Sequence, residues 1–268
     1  MKKFITTTYK TVSDKINKPL TLVMLSDLHN KVFGDKNQSL LEKIKEEKPD
    51  MILIAGDLVL GKKEASLKIP QEFLAEAVKL APVFYAPGNH EQRMKLYPQT
   101  YGTEYIRYEK RVQRLGVGLL ENRSVCVDIE GQQVEVSGLV LPYEYYGKGK
   151  SSSLEVKELN RLVGRASKEH FHILLAHTPK YGKSYLNWGG DLIFSGHYHG
   201  GMVRLPFLGG IISPDLRLFP RFCHGEFLQG DSRLIVGAGI GEHTIPLRIW
   251  NPRELVVVKC LPKERERK

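Results

Sequence analysis

Short apolar runs alternate with amphipathic stretches over the first third of the chain. Three of these runs have the length and composition of buried strands and occupy residues 20–25, 51–55 and 82–86. Between them, Ser39 and Glu42 have the spacing of a capping box, and Pro70 suits the first turn of a second helix. Strands separated by helices predict βαβ units and therefore a largely parallel sheet.

The pattern changes in the middle of the chain. Apolar and polar residues alternate on both sides of Gly131, which predicts a β-hairpin with one solvated face. A helical stretch follows near 154–164, and further apolar runs predict strands at 172–176, 192–195, 234–238 and 255–259. These elements predict an α/β fold of two packed mixed β-sheets, a β-sandwich flanked by α-helices. Since no linker divides the chain, we expect a single domain over 1–268.

The composition fits a globular protein, and the charge narrows the range of partners. Of 268 residues, 41% are hydrophobic and 26% are charged, which excludes a disordered chain. Lys and Arg number 40 against 30 Asp and Glu, and this net charge of +10 favours phosphate esters, nucleic acid or an anionic membrane. Much of the excess lies in two segments that we expect to be peripheral, residues 1–19 and the tail 263–268. These basic ends either solubilise the protein or contact an anionic surface.

Cysteine content and hydropathy bear on the compartment. The three cysteines are too widely spaced for a disulfide framework, which favours a reducing compartment. No apolar segment follows Lys2 and Lys3 as in a signal peptide, and no run approaches the roughly 18 apolar residues of a membrane span. We therefore expect a cytoplasmic protein, with membrane association through the basic ends left open.

Five short polar motifs each follow one of the predicted strands. Parallel strands gather ligands beyond their carboxyl ends, so five such loops can converge on one site. Each motif alone is weak, because a lone histidine after a strand is more often structural than a ligand, but the five together are not expected by chance. The motifs are Asp27-Leu-His29, Gly56-Asp57, Gly88-Asn89-His90-Glu91, His177 and Gly196-His197-Tyr198-His199.

The side chains of these motifs have the chemistry of metal ligands. They provide carboxylate, amide and imidazole groups without a cysteine, a set that suits Mn, Fe, Zn, Co or Ni. Seven ligands exceed the needs of one tetrahedral zinc and suit two divalent ions roughly 3.5–4 Å apart, bridged by one carboxylate. Such a pair clamps a phosphoryl group and makes hydroxide available near neutral pH. The candidates are Asp27, His29, Asp57, Asn89, His177, His197 and His199.

The motif series resembles the calcineurin-like metallophosphoesterases over residues 20–203. The resemblance implies a two-sheet sandwich with a dinuclear metal site at one sheet edge, in which Asp57 bridges the two ions. It implies that His90 is not a ligand but the catalytic residue, which binds the scissile phosphate and stabilises or protonates the leaving oxygen. The implied first metal set is Asp27, His29, Asp57 and His199, and the second is Asp57, Asn89, His177 and His197.

Residues 191–207 narrow the resemblance to the bacterial YkuE/YaeI-like phosphodiesterases. Members of that group are often membrane-associated, and some relatives cleave the pyrophosphate of UDP-diacylglucosamine. The sequence departs from the pattern of the group in two ways, because it lacks the N-terminal hydrophobic anchor and has Tyr198 where Thr is usual. The first departure puts membrane attachment in doubt, and the second predicts a bulkier rim of the site.

Residues in and after the third motif offer further contacts. Arg93 closely follows the Gly-Asn-His-Glu motif and either reaches a substrate phosphate or is a solvated arginine at a helix start. Glu91 is expected to orient His90 or a metal ligand from behind, as metal sites commonly require.

A second candidate substrate contact, Arg204, precedes the Gly- and Pro-rich segment 207–230. Aromatic residues and arginines alternate there, so the segment either receives an amphiphilic substrate that carries phosphate or packs on its own domain. The same alternatives, a substrate rim or ordinary packing, apply to an aromatic loop formed by Tyr143, Tyr145 and Tyr146.

Three functions are compatible with these features. The first is metal-dependent hydrolysis of a phosphodiester or pyrophosphate bond in a lipid-linked or nucleotide substrate, and the complete ligand set with His90 favours it. The second is a nuclease or nucleotide phosphodiesterase, which the net charge of +10 permits without favouring. The third is a non-catalytic metal-binding scaffold, which the intact motif histidines argue against.

Overall fold

Two six-stranded β-sheets pack face to face and bury an apolar layer between them. The computed structural model describes residues 3–147, 153–205, 209–212, 218–242 and 247–263. The buried layer contains Leu22 and Met24 from one sheet and Ile173 and Phe194 from the other. This architecture confirms the predicted sandwich of two packed mixed sheets.

The first sheet is parallel over four neighbouring strands. In spatial order it contains Phe4–Ser13 (β1), Arg253–Pro262 (β14), Leu20–Leu25 (β2), Met51–Ala55 (β3), Val83–Ala86 (β4) and Gly118–Leu119 (β5). Strands β2 to β5 run parallel, β14 is antiparallel to β2, and β1 is parallel to β14. The carboxyl ends of β2, β3 and β4 therefore meet at one edge of the sheet.

The second sheet has the same mixed character. Its order is Gly225–Gln229 (β12), Ser232–Val236 (β13), Leu192–Ser195 (β9), Phe171–Ala176 (β8), Gln132–Leu139 (β7) and Arg123–Ile129 (β6). Strands β13, β9, β8 and β7 are parallel, whereas β12 and β6 pair antiparallel at the two edges. The predicted hairpin around Gly131 is β6–β7. A separate two-stranded sheet consists of Val203–Leu205 (β10) and Gly209–Ile212 (β11).

Helices cover the outer faces of both main sheets. In the described part of the chain they are Gln38–Glu46 (α1), Lys68–Ala77 (α2), Asn89–Leu96 (α3), Pro98–Tyr101 (α4), Glu104–Arg114 (α5), Val156–Val163 (α6) and Gly182–Trp188 (α7). Short 3-10 turns occupy Asp35–Asn37, Tyr143–Tyr146 and Pro179–Tyr181. Helices α1, α2 and α5 pack on the first sheet, and α6 and α7 pack on the second.

The central strands are continuous apolar runs because both of their faces are buried. In β2, Leu22 and Met24 contribute to the layer between the sheets, whereas Val23 and Leu25 belong to the core under the helices. Successive side chains of a strand point to opposite faces, so a strand covered on both sides cannot alternate between apolar and polar residues. The apolar runs found in the sequence follow directly from this layering.

Strand β1 is an element that the sequence analysis did not predict. It lies inside the basic segment 1–19, which was expected to be peripheral, and it pairs with β14 in register from Phe4 to Ser13. The strand forms the edge of the sheet and is rich in threonine, so its side chains are mostly exposed or half-buried. A polar edge strand of this kind produces no apolar run that a pattern could reveal.

The predicted capping box at Ser39 is wrong, although the helix that it was expected to begin is present. Helix α1 begins at Gln38, and Ser39 lies inside its first turn. The preceding Asn37 has a left-handed backbone, and its side chain accepts a hydrogen bond of 2.9 Å from the Phe33 N–H rather than capping the helix. Pro70 lies in the first turn of α2 as predicted.

Two further observations concern the helices and the cysteines. Within the described ranges, no helix has the length and apolar character needed to cross a membrane. Cys126 is exposed, Cys223 and Cys260 are buried, and all three are free thiols.

The predictions that fall on Phe207, Leu208, Arg217 and most of the basic tail lie outside the described residues.

Candidate metal centre

The loops that follow β2 and β3 are joined to each other by backbone hydrogen bonds. The Asp27 N–H donates to Gly56 O at 3.0 Å, and the His29 N–H donates to Asp57 O at 3.1 Å. A third loop, after β9, joins them because the His197 N–H donates to both carboxylate oxygens of Asp27, at 3.0 and 3.1 Å. Loops from both sheets therefore meet at one place.

Five of the seven predicted metal ligands have a left-handed backbone. The φ angles are 55° for Asp27, 47° for His29, 53° for Asp57, 66° for His197 and 50° for His199. Non-glycine residues rarely adopt this region, and such strain persists only where the surrounding structure enforces it. Its concentration on these residues marks the strand ends as a functional site.

Two glycines allow the loops to approach this closely. A Cβ atom on Gly196 would lie 2.3 Å from Asp27 Oδ2, and one on Gly88 would lie 2.3 Å from Asp57 Oδ1. Any larger residue would displace a carboxylate. The glycines of the Gly-Asn-His-Glu and Gly-His-Tyr-His motifs are thus required by the packing of the site.

Side chains of metal-ligand type converge in three overlapping groups, each with ligand atoms within 4.8 Å of one another. His199 Nε2 lies 3.3 Å from Asp27 Oδ1 and 3.2 Å from His29 Nε2, and His177 Nε2 lies 3.0 Å from Asp57 Oδ2. The structure thus brings together the loops that the sequence predicted to converge. The groups are Asp27, His29 and His199; His29, Asp57 and His90; and Asp57, His177 and His197.

The chemistry of the cluster suits divalent cations. The oxygen of the Asn89 side chain is buried and accepts no hydrogen bond from the described residues, which leaves its lone pairs to a cation. His177 Nδ1 lies 2.7 Å from Ala55 O and donates to it, so Nε2 is the nitrogen that could bind a metal ion once the ion has displaced its proton. Metal-binding histidines are commonly fixed in this way by a carbonyl behind them.

The two carboxylates of the cluster have opposite pKa shifts. Burial raises the pKa of Asp27 to about 6. Burial acts on Asp57 in the same direction, but the imidazoles of His177, His90 and His29 outweigh it and hold the pKa of Asp57 well below its usual range. The three imidazoles thus favour the charged form of the Asp57 carboxylate.

Glu91 supports the loop of Asp57 from behind, in line with its expected role. One of its carboxylate oxygens accepts hydrogen bonds from the Asp57 and Gly88 N–H groups at 3.0 and 2.9 Å. The other accepts from the Val59 N–H and the Tyr85 hydroxyl. Burial, followed by the charge of Asp57, raises the pKa of Glu91 to about 7.

Hydrogen bonds orient the imidazole of His90 so that Nε2 faces the cluster. The Gly61 N–H donates to Nδ1 at 2.9 Å, so a neutral ring carries its proton on Nε2. Nε2 lies 3.9 Å from Asp57 Oδ2, inside the cluster. The guanidinium of Arg93 lies beside the same ring, with Nη2 3.1 Å from Nδ1, and its role in substrate binding stays a prediction.

Arg204 lies outside this immediate cluster. It is in β10, where its N–H donates to Ile249 O at 3.1 Å. Burial, followed by the charge of Arg253, lowers the pKa of Arg248 to about 10, and the charge of Arg204 acts in the same direction. A guanidinium nitrogen of Arg248 lies 3.2 Å from His199 Nδ1. A direct role of Arg204 in substrate binding remains a prediction.

The structure adds residues that the sequence analysis missed. Arg248 donates to Ala238 O at 2.9 Å and to Gly241 O at 2.8 Å, and Asn251 Nδ2 donates to His199 O at 2.5 Å. Both residues hold the last metal-type histidine from behind. They lie 49 and 52 residues after His199 in the chain, so no local motif connects them with it.

Two predictions for aromatic residues have different outcomes. Tyr198 is buried at 3% exposure, and the expectation of a bulkier rim at that position is wrong because the ring turns into the protein. Tyr146, by contrast, reaches the site, with its ring centroid 5.4 Å from that of His197 and 6.2 Å from that of His177. In the segment 207–230, Phe222 is buried and Phe219 is exposed.

The sequence that forms this site and fold matches a known protein family. The sequence model of the calcineurin-like phosphoesterases matches residues 20–201, and the chain belongs to that family. The matched region contains all five motifs, so the resemblance noted in the sequence is confirmed.

Relatives of the chain carry phosphoesterase names. An uncharacterized metallophosphoesterase of Helicobacter pylori (strain ATCC 700392 / 26695) is 28% identical over 257 residues, covering 93% of this chain and 62% of that protein. The chain therefore spans about six-tenths of the length of this relative. Phosphodiesterase YaeI of Escherichia coli (strain K12) is 27% identical over 226 residues, covering 83% of this chain and 76% of that protein. This second match supports the expected resemblance to the YkuE/YaeI-like group.

A solved structure shows the same fold. It is the structure of a Staphylococcus aureus protein whose name proposes a 5′-nucleotidase. The superposition covers 92% of this chain and 55% of the Staphylococcus aureus protein, with a TM-score of 0.53 and 12% sequence identity. The likeness concerns the two-sheet architecture, which it confirms.

Proposed function

We propose that the chain is a metal-dependent hydrolase that cleaves a phosphodiester or pyrophosphate bond. The observation that carries this proposal is the convergence of five strand-end loops on three overlapping groups of carboxylate and imidazole ligands. Membership of the calcineurin-like phosphoesterase family supports it independently. Most side chains of the cluster are buried, and five of its residues have a strained left-handed backbone, and both features are typical of functional sites.

The proposed cofactor is a pair of divalent ions, with Mn, Fe, Zn, Co and Ni all compatible with the donors. Asp57 is the proposed bridge, because it belongs to two of the three groups and has the most imidazole neighbours. When bound, the ions supply Lewis acidity to the phosphoryl group and acidify water. We assign the first to Asp27, His29, Asp57 and His199, and the second to Asp57, Asn89, His177 and His197.

His90 and Arg93 are the proposed groups for the leaving oxygen and the phosphate. Because the Gly61 N–H occupies His90 Nδ1, the proton on Nε2 faces the cluster and can pass to a departing alkoxide. Arg93 lies beside the same ring and supplies a fixed positive charge for a phosphoryl oxygen. Glu91 keeps the loop of Asp57 in place while substrate binds.

The proposed substrate is a lipid-linked or nucleotide phosphate ester. Tyr146 beside His177 and His197 offers an aromatic surface at the entrance of the cluster. Three free cysteines support a reducing compartment, which fits the expected cytoplasmic location. Manganese is the ion chosen for the test.

The test is hydrolysis of bis(p-nitrophenyl) phosphate by the purified chain. We expect turnover with added Mn²⁺, loss of turnover with a chelator, and recovery when Mn²⁺ is restored. Asp57→Asn protein, prepared identically, controls for contaminating phosphatases and should be inactive. Absence of turnover with every divalent metal and every phosphate ester tried would refute the proposal.

A further inference from the structure

The 3-10 turn Tyr143–Tyr146 is fixed against the loop that follows β8. The carbonyl of Tyr145 accepts a hydrogen bond from Lys180 Nζ at 3.2 Å and another from the Tyr181 hydroxyl at 3.0 Å. The rings of Tyr145 and Tyr181 meet edge to face, with their centroids 5.5 Å apart. Since this loop begins with His177, the turn is anchored close to a metal-type histidine.

A second attachment joins the turn to helix α3. Gln92 Nε2 donates a hydrogen bond of 2.7 Å to Leu141 O, just before the turn. The same helix carries His90 and Arg93, the proposed contacts of the leaving oxygen and the phosphate. The turn is therefore positioned by two elements of the site, and its side chains do not depend on a free loop for their placement.

Tyr146 is the residue of this turn that reaches the cluster. Its ring centroid lies 5.4 Å from that of His197, at an interplanar angle of 73°, and 6.2 Å from that of His177. These two imidazoles form a ligand-type group with Asp57. Ordinary packing describes Tyr145, whose ring lies against the loop after β8, whereas Tyr146 borders the site.

The hydroxyl of Tyr146 makes no hydrogen bond with any residue that the structure describes. The Tyr181 hydroxyl, in the neighbouring loop, donates to Tyr145 O. Burial, followed by the charge of Asp57, raises the pKa of the Tyr146 hydroxyl well above its usual range, so the hydroxyl lies in the field of the cluster. A phenol is a hydrogen-bond donor, and this one is left for a group that binds from outside the protein.

A phosphoryl group that enters the cluster leaves water, and its charged oxygens need donors there. His90 and Arg93 border the part of the cluster that contains His29, with the ring centroids of His90 and His29 4.4 Å apart. Tyr146 borders the part that contains His197. The hydroxyl thus supplies a donor where the two groups already assigned to the substrate do not lie.

We propose that the Tyr146 hydroxyl binds a non-bridging oxygen of the substrate phosphoryl group. The ring contacts with the two imidazoles orient the side chain, and the hydroxyl donates to the oxygen. The inference rests on the proposed function and deepens it, because it adds a substrate-binding residue on the His197 side of the centre. A role in packing alone would be filled equally well by a phenylalanine.

Tyr146→Phe tests the inference, because it removes one oxygen atom and keeps the ring. We expect the KM for bis(p-nitrophenyl) phosphate and the Kd for inorganic phosphate each to rise about tenfold, since a hydrogen bond to a charged acceptor is lost. The value of kcat should change little, because the hydroxyl binds the substrate and the transition state alike. Steady-state kinetics and calorimetric titration with phosphate, both on the Mn²⁺-loaded chain, measure these effects.

Tyr145→Phe is the matched control. It makes the same chemical change one residue earlier in the same turn, on a ring that packs against Tyr181. Its KM and its phosphate Kd should equal those of the parent. Both variants should retain the Mn²⁺ content of the parent, because neither substitution touches a proposed ligand.

Four results would overturn the inference. They are a phosphate Kd in Tyr146→Phe equal to that of the parent, equal rises in the two phenylalanine variants, loss of Mn²⁺ from Tyr146→Phe, or a Mn²⁺-loaded parent that binds no phosphate. Failure of the proposed function has a different signature, because the parent itself would then hydrolyse no phosphate ester. The phosphate titration tests the hydroxyl in that case too, since it requires no turnover.

Discussion

The two ends of strand β8 each carry a buried histidine, and the two imidazoles have opposite acid–base properties. At the amino end, burial and the charge of Lys15 lower the pKa of His172 to about 4. Just beyond the carboxyl end, burial also lowers the pKa of His177, but the carboxylates of Asp57 and Asp27 outweigh it and raise that pKa to about 10. Since both rings are buried, the neighbouring charges create the difference.

The contacts of the two rings explain their different roles. Both nitrogens of His172 are used within the protein, because the Ser167 N–H donates to Nδ1 at 2.8 Å and Nε2 lies 2.7 Å from Ser137 Oγ. Only Nδ1 of His177 is used in this way, and its Nε2 points at the carboxylate cluster. The amino end of the sheet should therefore govern stability, and the carboxyl end should govern metal binding and turnover.

The largest expected effect is that of Asp57→Asn at the carboxyl end. The substitution removes the charge shared by two of the ligand groups, so we expect loss of both metal ions and a fall in kcat/KM on the order of 10,000-fold. Metal content by atomic emission and turnover of bis(p-nitrophenyl) phosphate measure the two effects. Two ions still tightly bound in this variant would contradict the bridging role.

A buried aspartate at the amino end provides the matched control for that experiment. Asp191 accepts hydrogen bonds from the His172 N–H and from Lys15 Nζ, at 2.8 and 2.9 Å. Asp191→Asn should lower the free energy of unfolding but leave metal content and kcat/KM close to those of the parent. If it removed metal as Asp57→Asn does, the functional difference between the two sheet edges would not hold.

A smaller effect is expected for His90→Ala, which tests a proton donor rather than a ligand. The ring is oriented by Gly61 and offers Nε2 to the leaving oxygen, so its removal should lower kcat by at least about 100-fold for poorly activated leaving groups. Metal content should be retained, and p-nitrophenyl esters should be affected less. His224→Ala, whose ring pairs with Glu254 instead, serves as the control. Metal loss in His90→Ala would make His90 a ligand.

Glu91→Gln should weaken the metal centre without touching a ligand. A glutamine cannot accept all four hydrogen bonds that the carboxylate accepts, so the loop of Asp57 loses part of its support. We expect a loss of about 10- to 100-fold in Mn²⁺ affinity, measured by titration. Glu109→Gln, at another buried glutamate that pairs with Lys95, should bind Mn²⁺ like the parent. Equal affinities in both variants would remove Glu91 from the metal centre.

How far the sequence predicts this site depends on the range of the contacts involved. The strands, their order along the chain and the polar loops after them are local features, and the residues of the three ligand-type groups all lie in motifs that the sequence analysis singled out. The supports Arg248 and Asn251 could not, because they reach His199 only through the tertiary fold. Strand β1 escaped prediction for a related reason, since its stability comes from pairing with β14 at the other end of the chain.

The last prediction lies at the amino end and concerns stability alone. Between about pH 6.5 and pH 4 the unfolded chain protonates His172 whereas the folded protein does not, because burial holds the folded pKa at about 4. The free energy of unfolding should therefore fall by about 3 kcal/mol as the pH is lowered through this window. Urea unfolding of the metal-free protein measures this dependence, and His172→Gln should flatten it while turnover of the metal-loaded variant at pH 7 stays close to that of the parent. If the free energy of unfolding of His172→Gln depended on pH as that of the parent does, His172 would be protonated in the folded protein. The contrast between the two ends of β8 would then rest on geometry and not on charge.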